Sequence, residues 1–162
     1  MAMRIGFGYD SHRFLDGDAA AAKPLVLGGV VFKGERALAA HSDGDVVIHA
    51  VIDALLGAAT LGDIGSHFPD SDEKWRDADS ATMLEMTVKE VSSAGYAIGN
   101  VDVTVICERP KISPLREEIR SRLASLLGIS VAQISVKGKT NEKMDDVGAG
   151  LGIEAHAVAL LT

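Results

Sequence analysis

The chain has 162 residues, 47% of them hydrophobic and 24% charged, and a formal net charge of −7. This composition excludes a disordered polymer, and the acidic balance argues against binding to nucleic acid or a membrane surface, which calls for basic patches. Cys107 is the one cysteine, so no disulfide framework can form within the chain, and no run of about 18 apolar residues offers a membrane span. The start Met1-Ala2-Met3-Arg4-Ile5 leads straight into a strand pattern with no signal peptide, and a soluble cytoplasmic protein is expected.

Residues 4–9 read as a strand thinned by Gly6 and Gly8, and glycine there often marks close approach of another backbone or a ligand. Asp10 to Arg13 continue it. Residues 16–24 are a polar, Ala-rich loop ending at Pro24. Leu25-Val26-Leu27 and Val30-Val31-Phe32 flank Gly28-Gly29 as a bent or bulged hairpin. Residues 33–40 form a loop. From Ala40 to Leu56 the pattern is a helix that is apolar nearly all round, hence buried, with Ser42 three residues before Asp45 as a capping-box-like start and Gly57 or Gly62 at its end. One polar stripe interrupts it: Asp45, His49 and Asp53 at spacing i, i+4, i+8 fall within roughly an 80° arc.

A turn-rich polar segment follows over residues 61–72. Asp79-Ser80 begins an amphipathic helix through Ala94, with Gly95 as its stop. Residues 98–107 alternate as a strand. Ser113 caps a third helix with Pro114 in its first turn, ending at Gly128. Gln133 to Lys139 form a strand, residues 141–152 a Gly-rich loop, and residues 152–161 the last strand. The order β-β-β-α-α-β-α-β-β predicts one α+β domain over residues 1–162, with a mixed sheet and helices packed on one face. The opposite sheet face then requires a cover, and a partner subunit suits it.

Several constellations carry chemistry. In a strand, residues i and i+2 point the same way, so Asp10 and His12 can meet His49 from the helix. Two imidazoles and a carboxylate with an open fourth position form the ligand set of a catalytic zinc, or else a hydrogen-bond network pinning strand to helix. Asp45 and Asp53 either orient His49 or serve as cap and packing contact, and the cap suits Asp45 better. His41-Ser42 stands at a helix start, where free N–H groups favour phosphate, or act as a simple cap. Asp63, His67, Asp70 and Asp72 suit polyol hydroxyls, a hard cation or a solvated turn. Lys111 to Pro114, and Lys137, Lys139, Thr140, Asn141, Glu142 and Lys143, form a diphosphate or nucleotide site or an ordinary basic rim, with Glu142 able to ligate magnesium. The glycines of residues 148–152 precede a strand, which rules out a dinucleotide loop. Cys107 reads as a small buried residue.

These motifs in this order resemble the 2-C-methyl-D-erythritol 2,4-cyclodiphosphate synthase family over essentially the whole chain. The resemblance rests on Asp10-Ser11-His12, His41-Ser42-Asp43-Gly44-Asp45 with His49, Asp63-Ile64-Gly65 and Phe68-Pro69-Asp70-Ser71-Asp72. It continues through Gly99-Asn100-Val101-Asp102, Arg109-Pro110-Lys111-Ile112-Ser113-Pro114 and Lys139-Thr140-Asn141-Glu142-Lys143. It implies a homotrimer with active sites between subunits, zinc on Asp10, His12 and His49, and magnesium or manganese on Glu142. It further implies that Asp10, His12, His41 and Ser42 touch substrate, and that His41 and Thr140 stabilise the transition state. Asp63, Ile64, Gly65, Phe68, Pro69, Asp70, Ser71 and Asp72 would line the erythritol part. Cys107, Glu108, Arg109, Pro110, Lys111, Ile112 and Ser113, with Lys139, Thr140, Asn141 and Glu142, would hold the cytidine nucleotide.

The implied reaction is cyclisation of a cytidine-diphosphate-linked substrate with release of CMP. A metal-dependent nucleotide-diphosphate phosphohydrolase and a trimeric binding module with a purely structural metal are the alternatives. One segment departs from the family pattern. Many members carry Gly-Phe after the Glu-Lys pair and then Gly-Arg-Gly-Glu-Gly, whereas here Met144 to Gly152 place Ala149 and Leu151 at the usual arginine and glutamate. The departure withdraws the charges with which that segment would contact a substrate phosphate or an anion on the trimer axis.

Overall fold

A computed structural model describes residues 3–162; Met1 and Ala2, at the head of the expected strand start, lie outside the described residues. The main sheet contains β1 (Arg4–Arg13), β4 (Ile98–Ile106), β5 (Ile134–Lys139) and β6 (Gly152–Leu161) in the order β1-β6-β4-β5. β6 runs antiparallel to both β1 and β4, while β4 and β5 are parallel, so the sheet is mixed. β2 (Leu25–Leu27) and β3 (Val30–Phe32) form a separate antiparallel hairpin that turns on Gly28 and Gly29, both at positive φ. The helices are α1 (Val46–Ala59), α2 (Ile64–His67), α3 (Ser80–Ser93), α4 (Arg116–Leu127) and α5 (Asp145–Gly148). α4, entered through a 3-10 turn at Ser113–Leu115, makes the crossover between the parallel strands.

The close approach expected at Gly6 and Gly8 is that of α1. A Cβ built on Gly6 would stand 1.9 Å from the Ala54 carbonyl oxygen, and one on Gly8 the same distance from that of Ala50. Only glycine admits the helix backbone at that separation. Ala50, Ala54, Ala155, Ala157 and Ala159 are all fully buried, so small residues on helix and sheet continue the close contact. Ile48, Ile52, Leu55 and Leu56 fill the core around the helix, each contributing about 1.5–3 kcal/mol by leaving water.

The ends of the predicted elements shift for identifiable reasons. Asp45 takes the cap role that suited it: its side chain accepts the Val47 and Ile48 N–H groups at 3.1 Å, and Ser42, with its capping-box spacing, stands outside the helix. The same carboxylate accepts the Gly28 and Gly29 N–H groups at 2.8 and 2.7 Å, so the cap also clamps the hairpin turn. Gly57 lies inside α1, which ends at Thr60 in the left-handed region. Ser113 caps nothing; Ile112 takes that place and the α-helical part begins at Arg116. Gln133 belongs to a 3-10 turn before β5, and the segments read as loops contain η-turns or short helices at Gly17–Ala21, α2 and α5.

One face of the main sheet carries α1 and α4, and α3 packs on those two helices. On the other face, Ile5, Phe7, Tyr9 and Val158 are exposed, Ile5 at 73% and Phe7 at 61%. Among the described residues no helix is long and apolar enough to cross a membrane.

Candidate metal centre and substrate pocket

The alternation of β1 sends Gly6, Gly8, Asp10 and His12 to the side of α1, and His49 reaches the end of that row from the first turn of the helix. Three side-chain atoms converge there. His12 Nε2 lies 2.9 Å from Asp10 Oδ2, His49 Nδ1 lies 3.0 Å from the same oxygen, and the two ring nitrogens are 3.4 Å apart. Burial works to raise the Asp10 pKa, but hydrogen bonds from His12 and His49 and their charges outweigh it and hold the carboxyl at about 2. Burial works to lower that of His12, and the Asp10 carboxylate reverses it to a net rise.

The donor set also fits a metal. A tetrahedral zinc with bonds of about 2.0–2.3 Å sets its ligands roughly 3.3 Å or more apart, so the triangle of 2.9, 3.0 and 3.4 Å needs only a slight opening. His12 Nδ1 donates to the Ala39 carbonyl at 3.0 Å, so Nε2 is the nitrogen turned toward the centre, where a metal could replace the hydrogen it shares with Asp10. Among the described residues, Asp10, His12 and His49 form a cluster that could hold a metal ion.

The triad borders a cavity of about 490 Å³, lined also by His41, Ser42, Ile64, Gly65, Phe68, Pro69 and Asp70. Seven residues of the expected erythritol and phosphate set therefore share one pocket with the triad. Asp63, Ser71 and Asp72 do not line it. Asp63 caps α2 in a capping box with Ser66, and Asp72 accepts the Lys74 N–H to start a 3-10 turn. His67 holds the loop instead, with Nε2 donating to the Leu61 carbonyl at 2.8 Å and Nδ1 paired with Glu90 of α3 at 3.0 Å. His41 Nε2 stands 3.4 Å from the Asp72 carbonyl. Asp53 accepts the Ile64 N–H at 3.1 Å and orients no imidazole.

Trp75 and Met83 line the same cavity and sequence reasoning missed both. Trp75 meets Phe68 edge-to-face at 4.9 Å between centroids. Its one signal is its position just after the Phe68-to-Asp72 motif; Met83 gave none beyond its place in an amphipathic helix.

A second cavity, of about 110 Å³, is lined by Cys107, Pro110, Lys111, Ile112, Ser113, Lys139 and Thr140, with Arg116 and Gly138, which the sequence reading omitted. Cys107 is buried, as read, and its thiol donates to the Pro110 carbonyl at 3.3 Å. Burial pushes that thiol up to about 12. Glu108, Asn141 and Glu142 lie beside this cavity in sequence without lining it. Glu108 accepts the Lys143 N–H, Thr140 Oγ1 donates to Glu142 at 3.3 Å, and Asn141 bonds Asp145. Arg109 lines a separate hollow with Arg36 and Phe14.

The chain does not bring the two cavities together. Asp10 pairs with Ala155, Ala155 with Val105, and Val105 with Gly138, in one row across the sheet. The two groups sit at the same end of the sheet but on opposite edges, three inter-strand steps or roughly 14 Å apart. His41 and Thr140 fall on different cavities.

Fold and site together define a single-domain α+β protein with a candidate His-His-Asp metal triad at the mouth of a polar pocket. The model of the YgbB family matches residues 3–162, and the chain belongs to that family. It is 51% identical over 159 residues to the 2-C-methyl-D-erythritol 2,4-cyclodiphosphate synthase of Salinibacter ruber, covering 98% of each chain. It is 48% identical over 161 residues to the chloroplastic synthase of Arabidopsis thaliana, covering 99% of this chain and 68% of that one. Among solved structures, the IspF protein of Plasmodium falciparum in complex with CDP matches with a TM-score of 0.83 at 40% identity, over 98% of this chain and 95% of the other. The bifunctional IspDF of Campylobacter jejuni matches with a TM-score of 0.92 at 36% identity, where this chain spans 42% of the longer protein.

Proposed function

We propose that the chain converts 4-diphosphocytidyl-2-C-methyl-D-erythritol 2-phosphate to 2-C-methyl-D-erythritol 2,4-cyclodiphosphate with release of CMP, a step of non-mevalonate isoprenoid precursor synthesis. The observation that carries the reading is the triad of Asp10, His12 and His49 opening onto the His41–Asp70 pocket, in a chain about half identical to named synthases over nearly their full length.

Residues 1–162 act as one synthase domain in the cytoplasm. The protein works as a homotrimer in which the pocket of one subunit faces the Cys107–Thr140 cavity of the next. The row from Asp10 to Gly138 supports this, because one chain holds the halves apart. The uncovered apolar sheet face supports it too.

Zinc on Asp10, His12 and His49, with magnesium or manganese on Glu142, would supply the positive charge that lets an anionic phosphate approach an anionic diphosphate. The chain does the rest by placement. Asp10, His12, His41 and Ser42 meet the 2-phosphate, and Ile64, Gly65, Phe68, Pro69 and Asp70 line the erythritol part, with Asp63, Ser71 and Asp72 beside them on the same loop. Cys107 to Ser113 and Lys139 to Glu142 hold the cytidine nucleotide, with Lys111 and Lys139 offsetting its charge. His41 and Thr140 stabilise the phosphorus in flight. Both reacting groups belong to one substrate, so holding them in line contributes much of the rate.

Incubation with the substrate in oxygen-18 water tests the reading. The expected products are unlabelled CMP and a cyclic diphosphate by mass spectrometry and phosphorus NMR. Labelled, linear phosphate products would make the chain a phosphohydrolase instead. Activity is expected to vanish in chelator, to return with zinc plus magnesium, and to be absent in His49→Ala. Metal analysis of the assembly should find three zinc ions per trimer; a full-activity His49→Ala would overturn the metal assignment.

A further inference from the structure

Neither Asp43 nor Ser80 lines either cavity, yet both stand directly behind the triad. Ser80 is fully buried at the first position of α3. Its hydroxyl lies 2.8 Å from His49 Nε2, the ring nitrogen that faces away from Asp10. On its other side the same hydroxyl lies 2.5 Å from Asp43 Oδ1, and the Ser80 N–H donates to Asp43 Oδ2 at 3.0 Å. Asp43 Oδ1 also accepts the Asp45 N–H at 3.0 Å.

The direction of each hydrogen follows from these partners. The two Asp43 oxygens face two N–H donors and one hydroxyl, so the carboxylate accepts throughout. The Ser80 hydrogen is therefore committed to Asp43, and the oxygen can only accept from His49. His49 Nε2 then carries a ring hydrogen, and Nδ1 is the nitrogen turned toward Asp10 and His12, where a metal would take the place of the hydrogen it shares with Asp10 Oδ2 at 3.0 Å. Ser42 Oγ, 3.3 Å from His49 Nε2 and accepting the Gly44 N–H at 3.3 Å, lies on the same side and offers the same hydrogen a second oxygen. The arrangement is not needed to cap α3, since Asp79 already accepts the Ala81 N–H at 2.8 Å.

We infer that Asp43 and Ser80 are positioning residues, an Asp43–Ser80–His49 line that keeps a hydrogen on His49 Nε2 and so presents Nδ1 as a metal ligand. This rests on the metal reading of the triad proposed above. A carboxylate that orients a ligating imidazole usually does so directly; here a serine hydroxyl relays it. The line also ties the ligand to the start of α3, so the ligand's orientation depends on the packing of that helix against the loop before α1.

The test uses the full chain and zinc alone. Long-range nitrogen-15 spectra of histidine-labelled, zinc-loaded protein should show His49 with its hydrogen on Nε2 and zinc on Nδ1, and Ser80→Ala should weaken that preference. Competition with a fluorescent chelator should give zinc affinity roughly 10–100-fold weaker in Ser80→Ala. Asp43→Asn should weaken it at least as much, because an amide must turn an NH₂ toward one of three donors. A purely structural serine would lower the melting temperature of the metal-free protein while leaving tautomer and affinity alone. A wild-type His49 with its hydrogen on Nδ1 overturns the inference without any variant, and so does unchanged affinity in a folded Ser80→Ala. If wild type takes up no zinc, or takes it up equally well in His49→Ala, the metal reading itself has failed. If zinc depends on His49 but not on Ser80, only the positioning line has.

Discussion

At the scale of single residues, Asp45 joins two elements. One buried carboxylate receives four backbone N–H groups, two from the first turn of the helix Val46–Ala59 and two from the hairpin turn at Gly28 and Gly29. Asp45→Ala leaves all four without their acceptor and should cost about 3 kcal/mol or more, lowering the melting temperature by roughly 6–12 °C; differential scanning calorimetry checks it. Cys107 gives a prediction about pH. Burial raises its pKa to about 12, so the thiolate, the reactive form, is scarce at every ordinary pH. Iodoacetamide at pH 8 should alkylate it at least about 100-fold more slowly in the folded chain than in urea, as followed by mass spectrometry; equal rates would show that the thiol is open. The i, i+4, i+8 stripe was legible as three polar residues on a buried helix. Its members part company: Asp45 caps, Asp53 holds Ile64, and His49 faces the triad. Spacing gives direction from the helix axis, and what waits in that direction belongs to other elements.

At the scale of elements, the contact of β1 with α1 sets the geometry of the triad. Gly6 and Gly8 precede Asp10 and His12 in the same row, and the helix that lies on the glycines supplies His49. Gly8→Ala puts a methyl where the Ala50 carbonyl stands and must lift the helix. The expected cost is about 3 kcal/mol, together with weaker zinc binding, because His49 moves away from Asp10; calorimetry and chelator competition read the two effects on one sample. The glycine pattern announced a close approach, and the period-2 and period-3.6 patterns announced most strands and helices. Ends were less legible, since a cap is defined by where a side chain bonds. Asp and Ser both stand near the start of the first helix, and the Val47 and Ile48 N–H groups, bonded to the Asp45 side chain, decide for Asp45. Trp75, Met83, Arg116 and the Asp43–Ser80 pair left little trace in the sequence, since their meaning lies in contacts between distant segments.

At the scale of the whole molecule, the sheet has one covered face and one open face with an apolar patch at Ile5, Phe7, Tyr9 and Val158. The proposed trimer closes the open one. Phe7→Arg places a charge among Ile5, Tyr9 and Val158 and should shift the assembly toward single chains in sedimentation velocity, because an unpaired charge buried in an interface is strongly disfavoured. Activity should fall with it. A variant that stayed trimeric would place the subunit contact elsewhere.

The row Asp10–Ala155–Val105–Gly138 has a consequence for inheritance of defects. If each working site takes its triad from one chain and its nucleotide cavity from the next, a chain broken at His49 and a chain broken at Lys139 are defective in different halves. Co-assembled in equal amounts, they should restore about one quarter of the sites by random pairing in a ring, while either alone has none. Two silent proteins would then make an active one, and the recovered fraction would count how often a sound left hand met a sound right hand.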